Sequence, residues 1–219
     1  MKRFICVLFF ASAIAYGAFC QTGTIRELTG DVELKREGSS DFVRASAGDV
    51  VALNTLVSTG FRSTAVIEVG SSLITVRPLT RLSLAEIQKM DNSEKVNVNL
   101  QSGRVRVDVN PPAGSRTGFT VQSPSATASV RGTSFEFDTV NLIVDKGRVI
   151  FKGNAGPAVI VDAGGSSFID TGAASADPAD VVIALLLPPS PVGTPPPEVI
   201  APSSSSDGGF VWADLGLIF

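Results

Sequence analysis

The chain has 219 residues and no histidine, and its two cysteines, Cys6 and Cys20, both fall within the first twenty positions. Without an imidazole there is no Ser-His or Cys-His nucleophile pair and no His-ligated metal. Without a cysteine after Cys20 there are no thiolate ligands, thiol nucleophiles or disulfides in the remainder, which must be held by its core. No Gly-x-Ser-x-Gly elbow, Ser-x-x-Lys or phosphate-binding glycine loop is present. Asp162 with Asp170, and Asp177 with Asp180, lack the spacing of a calcium loop or the setting of a glycosidase pair, and read as solvated loop acids. The sequence is expected to be non-enzymatic, with no cofactor and no metal.

Aromatic residues are also scarce. The one tyrosine is Tyr16 and the one tryptophan is Trp212. A sugar-binding face needs exposed rings as stacking platforms, and the nine phenylalanines after residue 20 are expected in the core, where Phe prefers to be.

The N-terminus carries Lys2 and Arg3 and then an apolar run from Phe4 to Phe19 that ends in small residues. This is the layout of a secretory signal peptide, and sixteen residues fall short of the roughly 20 needed to span a bilayer. Cleavage after Cys20, with Ala18 and Cys20 at the small-residue positions, leaves Gln21 first. Acylation of Cys20 is disfavoured because bulky Phe19 precedes it. The mature chain of 199 residues has 16 basic and 21 acidic side chains, a net charge of −5, which suggests neither nucleic acid nor an anionic membrane surface as partner. The expected location is periplasmic or otherwise exported, with no membrane span after cleavage.

Within the body a Gly-x-Val phrase recurs at Gly30, Gly48, Gly103 and Gly147, each time opening an alternating run. A glycine corner followed by valines on one face describes a turn entering a strand. In the run from Gly103, Val105, Val107 and Val109 face one way and Arg104, Arg106 and Asp108 the other, as in a half-buried strand. The spacings are too irregular for a solenoid. The expected fold is all-β, a two-layer sandwich or rolled antiparallel sheet of many short strands with a Pro-rich C-terminal extension. Residues 85–93 read as a polar excursion between strands ending near Leu84 and starting near Val96.

The expected organisation is a signal peptide over 1–20, a β domain over 21–172, a short apolar helix over 173–187, a Pro/Ser-rich linker over 188–209 and an apolar end over 210–219. Asp177 is placed to cap the helix, Pro178 to occupy its first turn and Pro188 to stop it. Residues 188–206 hold seven prolines in nineteen, a composition that favours extended polyproline. Phe210, Trp212, Leu215, Leu217 and Phe219 then form a candidate partner-docking segment, since an apolar peptide adding to a groove or sheet edge is a recurrent recognition mode. The alternation of Val211, Ala213, Leu215 and Leu217 before Phe219 would suit a barrel strand, but the proline tract and the missing lipid-facing repeats argue against a membrane barrel.

Residues 119–151, FTVQSPSATASVRGTSFEFDTVNLIVDKGRVIF, resemble the core of the FecR domain. Phe119, Val121, Ser123, Pro124, Ala126, Val130, Arg131, Gly132, Thr133, Phe135, Val144, Gly147 and Val149 fall where that pattern wants them. Upstream, Thr59, Gly60, Ser63, Ala65, Gly70, Ser71 and Pro78 match a second segment, with Val69 in place of the usual Asp and Arg81 where a small polar residue is common. The resemblance covers residues 24–170. It implies a periplasmic module first known from anti-sigma regulators, where it receives a signal from an outer-membrane receptor; a sigma-binding region and membrane helix precede it there, whereas only Lys2 and Arg3 precede the apolar run here.

The expected role is an exported binding or scaffolding module of the cell envelope, mediating protein–protein contact or signal reception, with an envelope protein or cell-wall component as partner. A cell-wall or polysaccharide-binding module is the alternative. Arg131, Gly132 and Thr133 are read as a structural motif. The Arg131 guanidinium is expected to turn inward and pair with Glu68, Glu86, Glu136 or Asp138, because a planar five-donor fork suits several acceptors; recognition of a partner's carboxylate is the functional alternative.

Overall fold

A computed structural model describes residues 22–179 and Val181. The expected signal peptide, Asp180, the apolar run from residue 182 to 187, the expected proline-rich linker and the docking candidates Phe210, Trp212, Leu215, Leu217 and Phe219 lie outside the described residues.

Among the described residues the architecture is nearly all β, with 60% strand and 2% helix, in two sheets. The chain starts in the first sheet with β1 (Gly23–Thr29), crosses to the second for β2 (Val32–Lys35) and β3 (Val43–Arg44), and returns for β4 (Val50–Val51). It crosses again for β5 (Leu56–Thr59), then forms the hairpin β6 (Thr64–Val69) and β7 (Ser72–Val76) in the first sheet. The hairpin β8 (Arg81–Met90) and β9 (Ser93–Ser102) lies in the second, β10 (Val105–Val109) in the first, and β11 (Arg116–Gln122) with β12 (Ala126–Arg131) in the second. The hairpin β13 (Ser134–Asp138) and β14 (Asn141–Lys146) returns to the first, β15 (Arg148–Gly153) and β16 (Val159–Asp162) close the second, and β17 (Ser166–Phe168) ends the first.

This back-and-forth path rolls one ribbon into two faces. Gly30, Gly48, Gly103 and Gly147 each stand where the chain passes from one sheet to the other, with φ of 78°, 92°, 88° and 77°. At Gly103 there is also no room for a side chain, because a Cβ would overlap Thr80.

Alternation places the core. Val105, Val107 and Val109 are buried, with Arg104, Arg106 and Asp108 on the outer face, as their spacing predicts. Phe137 of β13 meets Phe151 of β15 edge to face at 5.8 Å, joining the sheets. Phe119 and Phe135 are also fully buried, but Phe42, Phe61 and Phe168 are exposed, so the core claims fewer phenylalanines than expected.

Two local readings need correction. Residues 85–93 are not an excursion: β8 and β9 run as one long hairpin, register-paired from Arg81↔Ser102 to Met90↔Ser93 with a shift between Leu84 and Glu86. The run looks irregular because Gln88, Lys89 and Met90 are exposed, so backbone pairing rather than an apolar face carries the strand there. The sheets are also not wholly antiparallel, since β9 and β11 pair in parallel from Arg116↔Ser93 to Gln122↔Asn99. β10, lying in the opposite sheet between them, supplies the return.

After β17 the chain covers its own edge: Ala176 N–H donates to Phe168 O at 2.8 Å, and Ser167 Oγ to Ala176 O at 2.6 Å. Asp177 then caps the helical turn at Pro178 and Ala179, its Oδ1 accepting from Ala179 N–H at 2.9 Å.

Candidate functional site

The motif residues divide into those used inside the fold and one that is not. Thr59 Oγ1 donates to Arg77 O at 2.6 Å and accepts from Thr80 N–H at 3.0 Å, tying β5 to the turn before β8. Ser63 Oγ accepts from Asp31 N–H at 2.8 Å. Ser71 donates N–H and Oγ to the Glu94 carboxylate at 3.1 and 2.9 Å, and its Oγ also contacts Thr117 Oγ1 at 2.8 Å. Ser123 Oγ accepts from Ala126 N–H at 3.0 Å and donates to Thr139 O at 2.7 Å. Thr133 is buried, with its carbonyl accepting from Val109 N–H at 2.9 Å and its hydroxyl unpartnered among the described residues.

Arg131 differs. It ends β12 exposed and has no ion pair among the described residues. The expected inward pairing is absent because all four acceptors are engaged elsewhere. Glu68 pairs with Arg26; Glu86 with Lys95 at 3.1 Å and with the Asn97 amide; Glu136 with Arg77 and Arg104; and Asp138 with Arg104 at 2.8 Å. Strand parity explains the direction: Val130 is buried, so its neighbour Arg131 faces out.

Arg131 lies on a groove of about 610 Å³ on the outer face of the second sheet. Register builds it. Gly118 of β11 stands opposite Lys95 of β9 and opposite Arg131 of β12, so a residue without a side chain separates two cations. One step along, Thr120 is opposite Ser129, their hydroxyls 3.3 Å apart, and Ser129 is opposite Ile150 of β15. Ile150 in turn faces Ile160 of β16, and both are half exposed. Arg148 joins the basic wall while its Nε holds Asp162 at 2.7 Å.

The groove thus has a basic wall, a glycine and hydroxyl floor and an apolar end. The Lys95–Glu86 and Arg148–Asp162 pairs are solvent-exposed, where such pairs contribute about 0 to 1 kcal/mol and exchange readily. The arrangement is suited to holding a polypeptide that brings acidic and apolar side chains together. The sequence signal for it was Gly118 at an outward position between two cation-bearing strands, but Lys95, Arg131 and Arg148 meet only through register.

The outer face of the first sheet is different in kind. Arg104 bridges Glu136 and Asp138, Arg77 adds to Glu136, and Arg106 reaches Asp145 at 2.7 Å and Asp108 at 3.5 Å. Its charges largely neutralise one another. Burial pushes the Asp138 carboxyl up, but the N–H of Asn141, the Arg104 guanidinium, the Asn141 amide and the N–H of Val140 together outweigh it and hold its pKa below the ordinary value. The bond to Asp138 is the main influence raising Arg104, against partial burial.

Three of the four acids that read from the sequence as loop residues are engaged singly, the fourth, Asp180, lying outside the described residues. Asp162 pairs with Arg148, Asp170 Oδ1 accepts from Ala174 N–H at 2.9 Å, and Asp177 is the helix cap. Among the described residues no cluster of three acidic, His or Cys residues is placed to hold a metal, and no helix is long and apolar enough to cross a membrane.

The sequence model of the FecR protein family matches residues 55–150, and this stretch is a FecR domain. It runs from the start of β5 into β15 and includes most of the groove. Two crystal structures of "a putative anti-sigma factor from Parabacteroides distasonis ATCC 8503", at 1.65 and 2.50 Å resolution, are similar at 14% identity and a TM-score of 0.45, each covering 59% of this chain. The chain spans 64% and 63% of those two chains, less than two thirds of either. No curated protein matches.

Proposed function

We propose that this protein is an exported, non-enzymatic module of the cell envelope that makes protein–protein contact, as a scaffold or a receiver of a signal, through the outer face of its second sheet. The FecR domain suggests a regulatory role with a protein partner. The observation that carries the reading is Arg131: of the polar side chains that define the motif, it alone is exposed, beside a groove that offers cations and an apolar end. A partner bringing a carboxylate to Arg131 would gain a bidentate, charge-assisted contact that lysine could not match.

Binding fits the groove better than catalysis. Among the described residues Thr120 and Ser129 have no adjacent base to activate them, and the cations flank a floor that those residues furnish with no carboxylate.

Photo-crosslinking in the full chain tests this. A photoreactive residue replacing Thr120 in the groove, compared with one replacing Thr75 on the opposite sheet, should give an adduct with a discrete envelope protein from the groove only. Equal adducts from both faces, or none from the groove, would remove the reading.

A further inference from the structure

Two turns meet at one end of the sandwich, residues 60–63 between β5 and β6 and residues 77–80 between β7 and β8, and Leu79 N–H donates to Gly60 O at 3.2 Å across them. They carry Phe61 and Leu79, which are 72% and 62% exposed. The backbone is not relaxed there. Arg62 and Leu79 have φ of 55° and 57°, the left-handed region in which an L side chain is crowded and glycine is at ease. Neither side chain serves the core, since both are exposed. Beneath them buried hydroxyls fix the turns: Thr59 joins Arg77 and Thr80, while Ser63 Oγ donates to Phe61 O at 3.1 Å and accepts from Asp31 N–H. The upstream segment of the family pattern thus builds a rigid mount under an exposed apolar pair.

We propose that this end of the sandwich docks on an anionic phospholipid surface, Phe61 and Leu79 entering the interfacial layer while Arg62 and Arg81 meet phosphate groups. Charge supports the choice of occupant. The Arg62 guanidinium lies 5.4 Å from the centre of the Phe61 ring, Arg81 follows Leu79 by two residues, and neither has an ion pair among the described residues. Asp31, the acid packed against Gly60, is taken by Arg44 at 2.7 Å, and Glu33 is separated from Arg81 by Ser58 across β5. Shape supports it too. Side chains projecting from turns present a knob rather than the groove or strand edge that grips a peptide, and a lipid interface accepts aromatic and aliphatic groups flanked by arginine. The net charge of −5 that argued against such a surface is an average over the mature chain; salt screens charges beyond about 8 Å, so the local arginines decide. Docking at this end leaves the groove clear. Lys95 lies seven residues along β9 from Ser102, the partner of Arg81, or about 23 Å at roughly 3.3 Å per residue.

Co-sedimentation of the full chain with vesicles tests this, comparing phosphatidylglycerol mixed into phosphatidylcholine with phosphatidylcholine alone. The chain should partition more strongly onto the anionic vesicles. Phe61→Ser and Leu79→Gly should each lower that partitioning on the order of 10-fold. Arg62→Gly should lower it about 5-fold on the anionic vesicles and leave the neutral ones unaffected. Thermal midpoints of Leu79→Gly and Arg62→Gly should not fall, because glycine is at ease at positive φ, so lost partitioning in these variants is not lost folding. Partitioning that is insensitive to all three substitutions would overturn the proposal by placing lipid contact elsewhere in the chain. So would an absence of vesicle binding while a photoreactive residue at Phe61 captures an envelope protein, which would assign this end to a protein partner.

Discussion

Gly147 lies against Thr133 so closely that a Cβ on the glycine would overlap the threonine methyl. The Arg131-Gly132-Thr133 turn and the Gly147 corner, fourteen residues apart in the chain from Thr133, therefore meet at one end of the sandwich, where β13 and β15 begin. Two pieces of the family pattern are conjoined by contact.

Gly147→Ala is expected to cost about 2 to 4 kcal/mol, from the left-handed backbone and the overlap with Thr133 together. Gly114→Ala shares the positive φ, 81°, but has nothing within 4 Å of its Cβ, and should cost about 1 kcal/mol. Denaturant melts of the two variants would separate backbone strain from packing, and equal losses would contradict the contact.

Arg131→Ala should change stability by less than about 1 kcal/mol, as for an exposed charge without a partner. Arg104→Ala should cost about 1 to 2 kcal/mol, because it takes from the partly buried Asp138 its cation and from Glu136 one of two, Arg77 remaining. The order of the two in a urea melt is the check.

Acid should weaken the fold partly through Asp138. Its folded-state pKa lies below the unfolded value, so its contribution is fully present above the unfolded carboxylate pKa of about 3.9 and is lost as pH falls from there through the folded pKa. Asp138→Asn should be less stable at neutral pH and show a shallower acid limb in melts between about pH 5 and pH 2. An unchanged acid limb would show that the bonds from Arg104 and Asn141 do not favour the charged form.

Much of this fold was legible in the sequence, for reasons that particular residues show. Gly30, Gly48, Gly103 and Gly147 announced strand entries because a glycine corner followed by alternating valines has few other uses. The same signal does not distinguish a corner that changes sheets from a hairpin within one, so the parallel pairing of β9 with β11 was invisible. The hairpin beyond Leu84 was missed because its tip has no apolar face to read. Arg131 was misdirected by its apolar surroundings, although the burial of Val130 by alternation already pointed it outward. The groove joins Lys95, Gly118, Ser129, Arg131 and Arg148 through register alone, which local pattern does not encode.

Export should leave Gln21 as the N-terminus, since the run from Phe4 to Phe19 is short for a membrane anchor and ends in small residues. Edman sequencing or intact mass of the native protein checks this. Retention of residues 1–20, or added mass on Cys20, would contradict it.

The central claim is that Arg131 serves recognition and not folding. It is tested most directly by measuring, on one preparation of Arg131→Glu, both the denaturant midpoint and the yield of the groove-specific photo-adduct. The account predicts an unchanged midpoint with the adduct lost. A lowered midpoint with the adduct retained would contradict it.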